Sequence, residues 1–174
     1  MDKNIIEILV QVIATIIGGI FLAILFFIYK EKINRLPSLS GLWTFKISVE
    51  SSSYNPYKEM SVSYIVLLIQ EGNHMSGTGE KIKDVMSGKT TEYVGKERVN
   101  IEISGYIMQR FFSADECIVH IKETGKLRDS STLHQLKIMN DSSIDGVFVS
   151  TIANSMGRVT WKRGNDNYSF SQEK

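Results

Sequence analysis

The N-terminal segment and the rest of the chain follow two different patterns of hydrophobic and polar positions. Ile5 to Tyr29 is almost continuously apolar, and Thr15 is the only polar side chain between Val12 and Ile28. A helix over this segment would be roughly 37 Å long, because the rise is about 1.5 Å per residue. That length crosses a hydrocarbon core of about 30 Å with some tilt, so the segment is predicted to span a membrane.

Two other interpretations of this segment are a buried helix of a soluble domain and a cleaved signal peptide. A buried helix seldom runs this far without a polar face, and a signal peptide has a shorter apolar core followed by a small-residue cleavage site. Here Lys30, Lys32 and Arg35 follow the apolar run, with Lys3 before it. Because positive charge stays on the cytoplasmic side, we expect a single-pass protein with a very short N-terminus outside and the rest in the cytoplasm.

One face of the predicted helix carries its polar and small residues. Glu7, Gln11 and Gly18 recur at helical spacing, together with Ala14, Thr15 and Leu22. Small residues let helices approach closely, and polar groups facing lipid are costly unless they are paired. We therefore predict that the helix self-associates through Glu7, Gln11 and Gly18. The alternative is that Glu7 lies near the headgroups and Gly18 is merely tolerated.

From Gly41 onward the pattern changes to the alternation of β-strands. Every second residue from Trp43 to Val49 is apolar, and the residues between them are polar. No stretch after Leu36 has a convincing helical period. Turn residues separate the further predicted strands, which are Ser61–Gln70, His74–Ile82, Arg98–Phe112, Cys117–Glu123, Thr132–Met139, Ile144–Ile152 and Gly157–Arg163.

About eight short strands with hairpin spacing favour an all-β fold, a small closed up-and-down barrel of antiparallel strands similar to a lipocalin. Closure removes exposed strand edges, and a two-sheet sandwich is the alternative. The predicted organisation is an anchor and juxtamembrane tether at 1–35, a ligand-sensing barrel at 36–165 and a polar tail at 166–174. A barrel of this size is either filled by side chains or holds one small ligand.

The composition argues against several kinds of function. Charges balance after Leu36, so we expect no binding to a nucleic-acid polymer. The single cysteine, Cys117, excludes an intrachain disulfide and fits a reducing compartment. His74, His120 and His134 lack metal-ligand spacing, and no glycine loop opens a helix to cradle phosphate. We therefore expect a binding protein without enzymatic activity, metal or cofactor.

Four residues are candidates for contacting a ligand. Tyr106 and Arg110 are four residues apart on one predicted strand, and Arg158 and Trp161 lie on the last strand. Guanidinium groups suit phosphate, and aromatic faces suit bases. The alternative is that the two arginines are exposed strand residues and Trp161 belongs to the core. Arg163, near the polar tail, is expected to contribute little.

The glycines that mark the strands carry a family resemblance. After the membrane helix and short tether, Gly41-Leu42-Trp43 opens the barrel, and Gly77, Gly105, Gly146 and Gly157 follow in later strands. This organisation resembles the membrane-anchored β-barrel effectors of bacterial cyclic-oligonucleotide anti-phage defence (CBASS and related systems), known as two-transmembrane, β-strand-rich effectors. The chain departs from that family in having one hydrophobic span.

The resemblance implies a bacterial inner-membrane protein whose barrel senses a cyclic di- or oligonucleotide. It further implies that the helices form a homo-oligomer that disrupts the bilayer. It leaves open whether the nucleotide activates the effector or holds it silent. Two other classes remain: a lipocalin-like, membrane-tethered carrier of a small apolar ligand, and a membrane protein that docks a partner through its barrel.

Overall fold

A computed structural model describes residues 3–29, 36–110, 113–125 and 128–164. The chain forms two compact units, Met1–Leu36 and Pro37–Lys174. Three sequence predictions fall on residues outside these ranges: the tether at 30–35, the pair Phe111-Phe112 at the end of a predicted strand, and the polar tail at 166–174.

The first unit contains the helix α1, Lys3–Ile28, and none of its residues is buried within the chain. It is long and apolar enough to cross a membrane, as predicted. The hydroxyl of Thr15 donates to the carbonyl oxygen of Gln11 at 2.8 Å, so this polar group is satisfied within the helix. A Cβ added at Gly18 would meet nothing within 4 Å, and the glycine therefore has no packing role inside the chain.

The second unit is built from strands of 4 to 13 residues. Short 3₁₀ turns occur at Asn55–Tyr57 and Gly95–Glu97. The strands are β1 Gly41–Ser51, β2 Ser61–Glu71, β3 His74–Met86, β4 Lys89–Glu92, β5 Val99–Met108, β6 Glu116–Thr124, β7 Asp129–Asn140, β8 Ser143–Ser150 and β9 Met156–Arg163.

Antiparallel pairing closes eight of these strands into a barrel. β1 pairs with both β2 and β9, β3 pairs with both β2 and β5, and consecutive strands from β5 to β9 pair with each other. The predicted closed up-and-down barrel is confirmed, and the sandwich is excluded. β4 was not predicted; it extends the sheet by pairing with the last residues of β3.

Inward-facing glycines let neighbouring strands pack closely. A Cβ at Gly79 would overlap the carbonyl oxygen of Ile65 and the Cγ1 atom of Val66 on β2. The oxygen belongs to the backbone of the paired strand, so it cannot move aside as a flexible side chain would. Gly79 is therefore required by the β2–β3 pairing.

The proximal end of the barrel, where the chain enters β1 at Gly41, is filled. Leu39 and Trp43 are fully buried there. The indole N–H of Trp43 donates to the Leu39 carbonyl at 2.8 Å, and the Leu39 N–H donates to Gln70 Oε1 at 2.7 Å. These bonds hold the segment before β1 across the barrel end as a plug.

Arg163 secures the same end. Its guanidinium lies 5.0 Å from the centre of the Trp43 ring and donates through Nε to the Asp141 carbonyl at 2.8 Å. Further bonds reach the carbonyl oxygens of Ser38 and Ser40. The sequence suggested a peripheral residue near the tail; the contacts instead join the ends of β1, β7 and β9.

The middle of the barrel holds an aromatic cluster. Phe45 stacks on Trp161 at 4.3 Å and on Tyr64 at 4.6 Å between ring centres. His134 meets the Phe45 and Trp161 rings edge-on at 5.5 and 5.9 Å and is almost completely buried. Burial lowers the pKa of His134 to about 3, so its imidazole is neutral in the folded protein.

The neutral His134 predicts that stability falls as the pH is lowered. The unfolded chain binds a proton near the ordinary histidine pKa of 6.5, whereas the folded chain binds it near pH 3. Between these values acid favours unfolding, and lowering the pH from 7 to 5 should cost about 2 kcal/mol. Urea titrations followed by fluorescence of the two tryptophans, both in the barrel, measure this loss.

The exposed His120 provides the control for this prediction. His120→Gln should keep the pH dependence, and His134→Met should remove most of it. A wild-type stability that stays flat from pH 7 to pH 5, or an unchanged slope in His134→Met, would contradict the assignment.

Gly79→Ala should destabilise the barrel by about 1–3 kcal/mol, because the added methyl group overpacks a backbone contact. The urea titration at pH 7 is the measurement. Ser76→Ala, at an exposed position of the same strand, should change stability by less than about 0.5 kcal/mol. Equal effects of the two substitutions would show that the β2–β3 pairing does not require the glycine.

Candidate ligand-binding site

The distal end of the barrel, opposite the plug, contains a cavity of about 360 Å³. Connections rather than plug residues surround it: 52–60 between β1 and β2, 151–155 between β8 and β9, and Gly125 and Arg128 from the connection between β6 and β7. Tyr57, Arg128 and Ile152 line the cavity from these three connections. Its volume lies within the usual range of small-molecule sites, about 300–1,000 Å³.

The inner wall of the cavity is apolar. Ile47, Val49, Val62 and Phe148 line it from β1, β2 and β8. The aromatic cluster closes its inner end, since Tyr64 belongs both to the lining and to the stack on Phe45. A ligand in this cavity therefore meets flat apolar surface inside and the loop connections outside.

One wall carries a buried charged network. The Lys81 ammonium lies 3.0 Å from Asp84 Oδ2, and the Tyr93 hydroxyl donates to the same oxygen at 2.6 Å. Burial alone would lower the pKa of Lys81, but the hydrogen bond and negative charge of Asp84 outweigh it, so the pKa is raised. Burial and the Asp84 hydrogen bond also raise the pKa of Tyr93. Lys81 is therefore a stable cation in the cavity wall.

A β-bulge brings Asp84 to the inward face beside Lys81. The pairing of β2 with β3 shifts between Ser63 and Tyr64, so that Ser63 lies opposite Lys83 and Tyr64 opposite Lys81. The inserted Ile82 is buried as well. Met75 and Ile82 are both buried but lie in opposite phases of the alternation, so the pattern along β3 does not by itself decide which face Lys81 occupies.

Glu123 supplies a carboxylate to the cavity lining from β6. The Tyr64 hydroxyl donates to its Oε2 at 2.7 Å. Burial, followed by the negative charge of Glu123, raises the pKa of Tyr64 well above its ordinary value, so the hydroxyl keeps its proton and its role as donor. Glu123 therefore offers a cavity ligand a fixed hydrogen-bond acceptor.

Arg128 brings a second cation to the distal rim. It lines the cavity and is exposed to solvent. Within residues 3–29, 36–110, 113–125 and 128–164, no carboxylate forms an ion pair with it. The sequence predicts a turn between the strands Cys117–Glu123 and Thr132–Met139, but nothing in the spacing indicates that Arg128 faces the barrel mouth.

The four residues predicted to bind ligand do not share a site. Tyr106 lies on the outer face of β5, and Arg110 lies beyond the end of that strand with its guanidinium 3.1 Å from Glu116. Arg158 lies on the outside of β9, 2.9 Å from Glu50. Trp161 is buried in the aromatic cluster. The cavity lining includes none of the four, and their positions match the alternative of exposed arginines and a core tryptophan.

Within residues 36–110, 113–125 and 128–164, the side chains do not form a metal centre, and the cysteine is not a reactive thiol. Among the residues that the structure describes, no three His, Cys, Asp or Glu side chains are close enough to hold a metal ion. Cys117 is buried, and burial raises the pKa of its thiol to about 12. The arrangement is suited to holding a ligand through aromatic contacts, hydrogen bonds and charge.

Comparison with known proteins gives one structural similarity. A redesigned β-barrel is similar over 73% of this chain and 92% of its own, with 12% sequence identity and a TM-score of 0.49. No protein-family model and no curated protein matches the sequence. The fold assignment therefore rests on the strand pairing of the barrel itself.

Proposed function

We propose that this protein is a membrane-anchored effector of anti-phage immunity whose barrel binds a cyclic di- or oligonucleotide in the distal cavity. The proposal places the protein in the bacterial inner membrane with the barrel in the cytoplasm, where its helices self-associate and disrupt the bilayer. The observation that carries it is the cavity of about 360 Å³, which combines an aromatic inner end with cations at its wall and rim.

The distribution of charge supports a ligand with a flat interior part and an anionic exterior part. Lys81 is already paired with Asp84, so Arg128 is the cation best placed to meet a phosphate. Guanidinium groups bind phosphate through paired N–H donors, and bases stack on aromatic side chains. A nucleotide with its base inward and its phosphate at the rim matches both requirements.

A lipocalin-like carrier of an apolar molecule is the second candidate. The apolar wall of the cavity favours this function, because an apolar ligand packed against it covers no polar group that would need a partner. The side chains of this wall are Ile47, Val49, Val62 and Phe148. Such a ligand would not need Arg128, whereas a nucleotide phosphate would. The two functions therefore differ in their dependence on this guanidinium.

Arg128→Ala should weaken binding of a cyclic dinucleotide by roughly ten-fold or more, because a charge-assisted hydrogen bond contributes about 1.5–3 kcal/mol. Calorimetry of the full-length protein in lipid nanodiscs, with cyclic di-AMP, cyclic di-GMP and cyclic di-UMP as probes, measures the effect. Arg158→Ala is the matched control, since Arg158 lies on the outer face of β9, and it should change affinity by less than about three-fold.

Three outcomes separate the possibilities. Equal effects of Arg128→Ala and Arg158→Ala would place the nucleotide elsewhere. Binding of a fatty acid, with no heat from any of the three nucleotides, would favour the carrier. If none of the probes gives a heat of binding, the cavity is not the basis of the proposed function.

Helix α1 supports the proposed action on the membrane. Glu7, Gln11 and Gly18 lie on one face of the helix, as predicted. A glycine in a helix costs about 1 kcal/mol relative to alanine, and Gly18 contacts nothing inside its own chain that would offset this cost. Close approach of a second helix provides an offset, since small residues allow backbones to pack together in lipid.

Gly18→Leu should therefore reduce association of the full-length protein and its permeabilisation of cells. Gly19→Leu is the matched control: it adds the same side chain about 100° around the helix, away from the face of Glu7 and Gln11. Crosslinking in membranes measures association, and dye entry measures permeabilisation. If Gly18→Leu and Gly19→Leu reduce association and permeabilisation to the same extent, the helix face that carries Glu7, Gln11 and Gly18 is not the interface.

A further inference from the structure

The imidazole of His134 has one ring nitrogen engaged within the protein. The Trp161 indole N–H donates to His134 Nδ1 at 3.3 Å. An indole nitrogen is a donor only, so Nδ1 must be the unprotonated nitrogen of the ring. The ring is neutral, as its burial requires, and its proton is therefore on Nε2.

The second nitrogen has no hydrogen-bond acceptor among the residues that the structure describes. Besides Trp161, the rings of Phe45 and Phe148 meet the imidazole edge-on, and neither offers a hydrogen-bond acceptor of the ordinary kind. A buried N–H without a partner costs about 1–3 kcal/mol. The position therefore calls for an acceptor that the described part of the barrel does not supply.

A small void next to His134 leads toward the distal cavity. The void measures about 10 Å³, and Phe45, Ile121 and His134 form its deep side. It shares Ile47, Tyr64, Glu123 and Thr132 with the lining of the larger cavity. The lining comes from β1, β2, β6 and β7, whereas Trp161 approaches the imidazole from β9. The imidazole of His134 thus lines the void, and its Nδ1 is occupied by Trp161.

We propose that His134 Nε2–H and the Glu123 carboxylate together form the deep end of the ligand site and select a flat ring with an acceptor next to an N–H donor on one edge. The void is large enough for about one oxygen or nitrogen atom. The edge atom of the ring enters it and accepts from His134, and the neighbouring N–H donates to Glu123. The rest of the ring lies in the larger cavity beside Tyr64.

This inference rests on the proposed function and makes it specific. The Watson–Crick edges of nucleobases carry adjacent acceptors and donors, whereas the chain of an apolar carrier ligand carries neither. The acceptor-only Glu123 and the donor His134 are matched to such an edge. The inference also gives a role to the second ring nitrogen of His134, since accepting from Trp161 uses only Nδ1.

The test is a pair of substitutions of equal length. His134→Gln keeps both functions, since the amide oxygen can accept from Trp161 and the amide N–H can donate to the ligand. His134→Met keeps the length and removes the donor. Calorimetry uses the full-length protein in lipid nanodiscs with cyclic di-AMP, cyclic di-GMP and cyclic di-UMP. We expect His134→Met to weaken binding about ten-fold and His134→Gln to stay within about three-fold of wild type.

A second measurement avoids dependence on how the variants fold. In wild-type protein labelled with ¹⁵N at its three histidines, saturation with the tightest of the three nucleotides should shift the Nε2 resonance of His134. Nucleotide binding with an unchanged Nε2 resonance, or with equal affinity in His134→Met and wild type, would overturn the His134 assignment. The void would then hold only a water molecule, and the proposed function would stand.

Failure of the proposed function gives a different result. If none of the three nucleotides binds the wild-type protein, the nucleotide site is overturned, and the His134 assignment that depends on it is overturned with it. If a nucleotide binds but neither the Nε2 resonance of His134 nor the affinity of His134→Met changes, the role of His134 at the deep end of the site is wrong. The cavity then remains the location of the nucleotide site.

Discussion

The stack of Trp161, Phe45 and Tyr64 across β9, β1 and β2 is the interaction on which the rest of the barrel depends. An eight-stranded barrel has an interior just wide enough for its own side chains to fill. Three large rings in contact occupy the middle of this interior and divide it into two halves. The proximal half is packed, with Trp43 and Leu39 fully buried, and the distal half keeps a cavity.

The sequence pattern predicted those features of the fold that follow from the alternation of side chains along a strand. The apolar positions from Trp43 to Val49 and the even spacing of turns predicted β-strands, and closure followed from the need to remove edges. The extra strand β4 was missed because Lys89–Glu92 is short and has no apolar position to show a period. Its shortness and its terminal charges also suit a strand outside the closed barrel, since both discourage pairing with other chains.

The candidate site was harder to predict because it depends on exceptions to alternation. A bulge after Lys81 turns its partner Asp84 to the inward face as well, and Arg128 reaches the rim from a connection. Tyr106 and Arg110 were grouped by spacing on one strand, but β5 ends at Met108. Trp161 was assigned to a ligand because of its chemistry, yet an aromatic residue at an inward position fills the core more often than it binds a ligand. Chemistry alone does not determine which face of a closed sheet a residue occupies.

The two ends of the barrel also restrict how a ligand is able to influence the helix. The chain enters the barrel at the proximal end, where Arg163 ties several strands together and Trp43 is packed. Closely packed interiors change between discrete arrangements and do not deform gradually.

The distal rim is formed by connections between strands and has no plug like that of the proximal end. A ligand shifts an equilibrium only through contacts that differ between the two states. In the proposed function, contacts between the rims of neighbouring barrels differ between the separate and the assembled state. Contacts inside the packed proximal end do not need to differ. A single apolar helix cannot enclose a pore, so in the proposed function the ligand acts on the number of barrels, and therefore of helices, that come together.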